Sequence, residues 1–372
     1  IREYGQHPYA DRYECTHSLE DAAKLADGTG GVRLAGRVVA VRFMGKLAFG
    51  RLLDIGGSVQ FSLQKAELGD NYAAFKKLVD IGDFVGVEGE MFTTRTGEKT
   101  LNVRTWTFLS KALRPLPEKF HGLTDPELRL RRRYLDLLSS PEVRERFLRR
   151  TRIIRTIREY LDQAGFLEID TPVLGNKASG AMARPFVTHN NALDIDVYLR
   201  IAPETYLKRA IAGGFDKVYE FARSFRNEGV DASHLPDFTL LEYYCAYWNY
   251  EDNMRFTERL VRHVVQEALG SLRIVRGDRE IDMAQQWPRI TLRDAILDHS
   301  VIDIDAHPTD VALRAAIQAA DVVIDKPEAG RGSLIDQLYK RTTRPHLIQP
   351  VFIIRHPTDL SPLARSSDDD PK

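Results

Sequence analysis

Five short runs of alternating apolar and polar residues, all within positions 32–108, constrain this 372-residue chain more than any other feature. They occupy residues 32–42, 48–55, 59–63, 84–93 and 101–108. Alternation with a period of two puts every second side chain on one face, as in strands with one buried side. Glycines at 36, 45, 56, 57, 86, 89 and 97 punctuate the runs, and residues 72–78 have helical spacing between the third and fourth. Five strands with a helix after the third is the order of an OB-fold barrel.

The second and third strands of such a barrel commonly meet oligonucleotides. Phe49 and Gln60 fall on those two strands, an aromatic to stack on a base and an amide to read its edge. The residues alone equally allow Phe49 to fill the barrel and Gln60 to be merely exposed. Residues 1–30 are polar, with one short helical signal at 18–25.

Lysine plus arginine equals aspartate plus glutamate, 53 each, so a nucleic-acid partner would need local basic clusters. The densest is Arg129-Leu130-Arg131-Arg132-Arg133-Tyr134. It is either a clamp for a phosphate backbone or a solvated helix face with its own ion pairs. Two cysteines, Cys15 and Cys245, make neither a disulfide framework nor a zinc site, which fits a reducing cytoplasm. No apolar run approaches a membrane span, and the start resembles no signal peptide. The chain lacks GxxxxGK, GxGxxG, HExxH and paired CxxC motifs, so ATP-dependent chemistry would need another nucleotide scaffold. Beginning at Ile1 and ending in Asp368-Asp369-Asp370-Pro371-Lys372, it is expected to be a fragment at both ends.

Residues 111–127 read as an extended linker. Ser140, Pro141 and Gly165 punctuate a long helix whose stripe is Val143, Phe147, Ile154, Ile157 and Leu161. Residues 166–172 predict a strand running into Pro172, an edge feature. The small-residue loop at 180–186 permits close backbone approach, and Glu204 at a helix start would answer the helix dipole. A hairpin follows, with its turn chemistry at 229–236. Arg226 and Glu228 share one face of its first strand, and Phe238, Leu240, Glu242 and Tyr244 one face of its second. Phe221, Phe225, Leu241 and Tyr243 read as core. Residues 251–269 predict an amphipathic helix, 270–345 a mixed α/β region without legible chemistry, and 347–354 a buried strand.

Six markers occur in order: Arg133-Tyr134-Leu135-Asp136-Leu137, Thr171-Pro172, Ala183-Arg184-Pro185-Phe186, Leu199-Arg200-Ile201-Ala202-Pro203-Glu204, Phe225-Arg226-Asn227-Glu228 and Ser361-Pro362-Leu363-Ala364. Together they resemble the class II aminoacyl-tRNA synthetases with an N-terminal OB anticodon domain, and most closely the lysyl-tRNA synthetases. The resemblance covers about residues 32–372. It implies an α+β fold, a five-stranded OB-fold β-barrel followed by a class II catalytic domain with an antiparallel sheet flanked by helices. The implied division is 1–30 extension, 31–110 anticodon-binding domain, 111–127 linker and 128–372 catalytic domain.

The activity implied is lysine–tRNA ligation, in which ATP activates L-lysine to lysyl-adenylate and the lysyl group passes to the 3′ end of tRNA(Lys). By position, the resemblance implies that Arg226 is catalytic, bridging the lysine carboxylate and the α-phosphate of ATP. Phe238 would stack on adenine, with Glu228 and His234 also contacting the nucleotide. Gly180 and Glu204 would hold the α-ammonium, Glu242 and Tyr244 the side-chain ammonium, and Arg42, Phe49 and Gln60 the anticodon. The family also implies a cytoplasmic homodimer joined through the Thr171-Pro172 motif. It implies Mg²⁺, whose ligands, with the last ATP-covering motif, would lie beyond Lys372; a chain ending there is expected to bind substrates poorly. Where the family reads His-Asn-Pro-Glu-Phe-Thr, this chain has His234-Leu235-Pro236-Asp237-Phe238-Thr239, and Leu235 cannot make the polar contacts of asparagine.

The substrate-facing strand argues specificity on its own. A carboxylate and a phenol without an inward arginine suit a cationic side chain and repel aspartate. An analogue lacking the ammonium would leave Glu242 buried and unpaired. Two alternatives differ in class: a ligase that lysylates a protein or lipid, and a non-catalytic RNA-binding protein.

Overall fold

Alternation in the first half becomes five strands, β1 (Val32–Met44), β2 (Leu47–Leu53), β3 (Ser58–Gln64), β4 (Phe84–Thr93) and β5 (Lys99–Ser110). They close into a barrel of order β1-β2-β3-β5-β4, with β4 returning to β1. This computed structural model describes residues 1–114, 116, 124–231, 234–361 and 364–369. Its chain divides into two units, Ile1–Phe147 and Leu148–Lys372.

In the first unit, the helix α1 (Leu19–Ala22) starts at Ser18, whose side chain accepts from the Asp21 N–H. Two helices, α2 (Lys65–Leu68) and α3 (Asp70–Leu78), follow β3. From α3, Phe75 packs edge-on against Phe61 and Trp106 in the barrel core. Gly50 is required there, since a Cβ would run into the Phe61 ring. Beyond the barrel, residues 115 and 117–123 of the expected linker lie outside the described residues. The basic cluster spans α4 (Pro126–Arg131) and the start of α5 (Arg133–Ser139). Arg129 and Arg133 reach the fully buried Asp136 at 2.8 and 2.5 Å, and Arg131 reaches Glu127 at 2.7 Å. A buried carboxylate needs such partners, so Arg129 and Arg133 serve the Asp136 ion pairs, while the Arg131–Glu127 pair is exposed on the helix surface.

The boundary between the units falls within α6 (Pro141–Gln163). Leu161 of α6 joins Phe166, Tyr219, Phe256, Leu260 and Val264 in the core of the second unit. Phe147 departs from the expected stripe, being about half exposed. The expected strand at 166–172 shortens to β6 (Leu167–Glu168), with the Ile169 N–H still donating to the Tyr219 carbonyl at 3.0 Å. Next come β7 (Leu174–Gly175), β8 (Val187–Asn190) and β9 (Ile195–Leu199), a sheet of order β7-β9-β8. The helix α7 (Glu204–Ala212) leads into the hairpin of β10 (Lys217–Phe225) and β11 (Asp237–Cys245).

That hairpin is antiparallel, and β6 adds to β10 in parallel. Phe221, Leu241 and Tyr243 pack on the core as expected. Phe225 does not: it is half-buried at the mouth of the loop, outside that core. β10 also ends there, so Arg226 and Glu228 lie beyond the strand rather than on it. α8 (Tyr250–Leu269) begins with a capping box between Asn249 and Asp252. Residues 270–345 hold a short hairpin, the strand Arg289–Thr291, and helices around a second apolar cluster that includes Leu292, Ile296, Leu313 and Leu334. The expected buried strand at 347–354 is three half-buried residues, Phe352–Ile354, parallel to Arg289–Thr291. Among the described residues no helix is long and apolar enough to cross a membrane.

Candidate active site and nucleic-acid face

The β10–β11 register pairs Val218 with Tyr244, Glu220 with Glu242, Ala222 with Leu240 and Ser224 with Phe238. Directly opposed residues share a face, so these eight form one surface. Arg226 continues it for one further step, because its N–H donates to the Pro236 carbonyl at 2.9 Å. Its guanidinium carbon lies 5.0 Å from the Phe238 ring centroid, a cation–π contact. Two buried polar atoms on this surface, Ser224 Oγ and Arg226 Nε, have no hydrogen-bond partner among the described residues.

At the other end the surface is acidic. The Tyr244 hydroxyl donates to Glu242 Oε2 at 3.1 Å. Burial pushes the Glu242 carboxyl above the ordinary glutamate range, with Glu204 and Glu220 adding to the rise against the Tyr244 hydrogen bond. Burial, followed by the Glu242 charge, pushes the Tyr244 phenol well above its usual range, so it remains a donor. Among the described residues no lysine or arginine pairs with Glu242.

Glu204 begins α7 and pairs with Lys208 at 2.5 Å, one turn on. Gly180 lies beside it with a positive φ of 94°; an added Cβ would sit 3.1 Å from the Ala202 Cβ and 3.4 Å from that of Glu204. The loop carrying Gly180 is tied to the hairpin by the Asn227 N–H, which donates to the Arg184 carbonyl at 2.7 Å. Thus Gly180 meets Glu204, Glu242 meets Tyr244, and Arg226 meets Phe238. Glu228 is exposed past the end of β10. His234 is exposed on the loop, its Nδ1 2.8 Å from Asp231. Leu235 is also exposed.

Sequence reasoning did not single out the side chains of Glu220, Arg200 and Ser224, which the structure buries on or beside this surface. Arg200 Nη1 lies 2.6 Å from Glu220 Oε1, and the Thr171 hydroxyl donates to Glu220 Oε2 at 2.6 Å. The available signal was phase: Glu220 and Ser224 alternate in step with Arg226.

On the barrel, Ala48 and Gly50 are buried, so Phe49 between them faces outward, half-buried. Arg42 stands opposite Phe49, and Phe49 opposite Ser62. Ser62 in turn faces Asn102 on β5, which faces Glu90 on β4. Gln60 lies on the adjacent row, opposite Arg51, and donates to Thr100 Oγ1 at 2.9 Å. A shallow pocket on this side is lined by Gln64, Glu90, Phe92, Asn102 and Arg104. The row therefore offers a cation, a ring, a hydroxyl, an amide and a carboxylate, with the Gln60 amide on the row beside it, to a single-stranded ligand. Among the described residues no group of three or more His, Cys, Asp or Glu side chains could hold a metal.

The comparisons with known proteins agree with the two-part fold. Residues 125–372 match the family described as tRNA synthetases class II (D, K and N), and residues 32–109 match the OB-fold nucleic acid binding domain. A lysine–tRNA ligase of Carboxydothermus hydrogenoformans is 45% identical over 100% of this chain and 76% of its own length. One from Moorella thermoacetica is 47% identical with the same coverage. One from Synechococcus sp. is 44% identical over 98% of this chain and 76% of its own length. A barrel joined to a class II catalytic unit, with identity of this depth along the whole chain, places the protein in the lysine–tRNA ligase family of class II tRNA synthetases.

Proposed function

We propose that this protein activates L-lysine with ATP and transfers the lysyl group to the 3′ end of tRNA(Lys). Glu242 is the observation that carries the choice of amino acid. It is a half-buried carboxylate with a phenol donor, and among the described residues it has no cationic partner. A lysine ammonium supplies the missing charge, and the carboxylate of an aspartate would be repelled.

In the first step a lysine carboxylate oxygen attacks the α-phosphorus, a P–O bond to pyrophosphate breaks, and lysyl-adenylate forms. Arg226 is the catalytic residue, bridging carboxylate and α-phosphate where negative charge accumulates. The orphaned Arg226 Nε supports that reading. Phe238 stacks on adenine, Glu228 contacts the nucleotide near the base and His234 near the phosphates. Gly180 and Glu204 hold the α-ammonium, while Glu242 and Tyr244 hold the ε-ammonium. In the second step a tRNA 3′-terminal hydroxyl attacks the adenylate carbonyl and AMP leaves. Arg42, Phe49 and Gln60 read the anticodon.

Residues 1–30 act as an extension, 31–110 as the anticodon-binding domain, 111–127 as a linker and 128–372 as the catalytic domain. Mg²⁺ accompanies ATP, and the working unit is a cytoplasmic homodimer. The test is amino-acid-dependent ATP–pyrophosphate exchange by the full-length protein: lysine drives it and aspartate does not. Exchange with aspartate and none with lysine overturns the assignment.

A further inference from the structure

Glu220 and Glu242 stand directly opposite each other in the β10–β11 ladder. Opposed Cβ atoms are about 4.5–5.5 Å apart, and like charges there are destabilising. Glu220 is 2% exposed, and a carboxylate that deep needs a counter-charge. Arg200, whose side chain is 9% exposed, supplies it at 2.6 Å. The same guanidinium donates to the Thr171 carbonyl at 3.0 Å, to its hydroxyl at 2.9 Å, and to the Arg223 carbonyl at 2.8 Å. Through its backbone, Arg200 also donates to Val173 and accepts from Phe225, each at 2.9 Å. The pair therefore joins the segment leading to Glu204 with the strand leading to Arg226.

We propose that Arg200 and Glu220 are positioning residues that work as one ion pair, offsetting in part the Glu220 charge that bears on Glu242, so that a ligand ammonium rather than a protein cation is the counter-ion of Glu242. The proposal rests on the lysine reading of the site. The other charged or titratable groups facing Glu242 are Glu204 and Lys208 on α7 and Tyr244 on β11. Lys208 is already paired with Glu204. Neutralising Glu220 alone leaves Arg200 as an uncompensated buried cation. That cation competes with the ligand ammonium for Glu242 and repels it. Removing both charges restores neutrality.

The experiment is a double-mutant cycle on the full chain, with L-lysine and ATP affinities measured by calorimetry. Glu220→Gln keeps the shape and loses the charge. It is expected to weaken lysine binding on the order of tenfold, within the range for coupling inside one buried network. ATP affinity serves as the reference. The double variant Arg200→Met/Glu220→Gln is expected to recover lysine affinity to within about threefold of wild type, because coupled charges are not additive. A scaffold held only by hydrogen bonds predicts the opposite order, with the double variant weaker than Glu220→Gln. That result, or Glu220→Gln binding lysine as wild type does, overturns the proposal while leaving the lysine assignment intact. Full-length wild type that does not bind lysine overturns both. If Glu220→Gln does not fold, the double variant decides alone: near-wild-type affinity supports the ion pair, and loss of lysine binding overturns it.

Discussion

The guanidinium of Arg226 lies 5.0 Å from the centre of the Phe238 ring, although the two residues sit on opposite sides of a loop. The contact orients a planar cation and an aromatic plate together on one surface. It sets the spacing between the proposed phosphate and adenine positions before any ligand arrives.

Replacing Arg226 with alanine is expected to lower the rate of lysine-dependent ATP–pyrophosphate exchange about a hundred- to a thousand-fold, as for other donors aimed at developing charge. Arg226→Lys keeps the charge but loses the bidentate fork, so it is expected to rescue only part of the rate. Steady-state exchange kinetics of both variants check this.

Glu242→Gln is expected to stabilise the ligand-free protein while weakening lysine binding. Its carboxyl titrates above the ordinary glutamate range, chiefly through burial, so the folded state holds a proton that the unfolded state has released. The charged form therefore costs stability above that window, and the cost fades as pH falls through it. Melting temperatures without lysine should favour Glu242→Gln at about pH 7 and converge with wild type at about pH 4. A larger advantage at the acidic end would contradict the sign.

Gly180→Ala is expected to cost about 1 kcal/mol or more of stability and to raise the KM for lysine. The residue has a φ of 94°, and the new methyl would press on Ala202 and Glu204. Denaturant unfolding with exchange kinetics separates the two effects, since only the second involves the substrate.

Phe49→Ala is expected to raise the KM for tRNA in charging assays about five- to a hundred-fold, the equivalent of one lost base stack. ATP–pyrophosphate exchange, which needs no tRNA, provides the reference. An unchanged KM for tRNA would remove Phe49 from the anticodon face.

Legibility followed the range over which each residue interacts. The barrel strands could be read because period-two alternation is a local response to one buried face, as at Ala48-Phe49-Gly50. The alternation gave order and parity but left Phe49 able to point either way, since inward and outward phases differ by a single residue. The helix α6 was marked by Pro141 and Gly165, local start and stop chemistry, and α8 by its amphipathic spacing, whereas its Asn249 cap emerged only in the fold. Within the hairpin, parity alone put Phe238, Glu242 and Tyr244 on one face.

Tertiary structure decided what sequence separation hides. Thr171, Arg200 and Glu220 lie 20 to 49 positions apart, and nothing local in any of them announces a shared ion pair. Asp136 drew Arg129 and Arg133 out of a run that also reads as a phosphate clamp. Strand ends behaved likewise, because β10 stops at Phe225 where its last partner, Asp237, turns into the loop. Alternation, capping and residue chemistry are local properties, so the sequence by itself determined the barrel, the helices and the acidic and cationic ends of the hairpin face. Which charges cancel and which stay open for a ligand is a sum over distant neighbours, and only the folded chain carries it out.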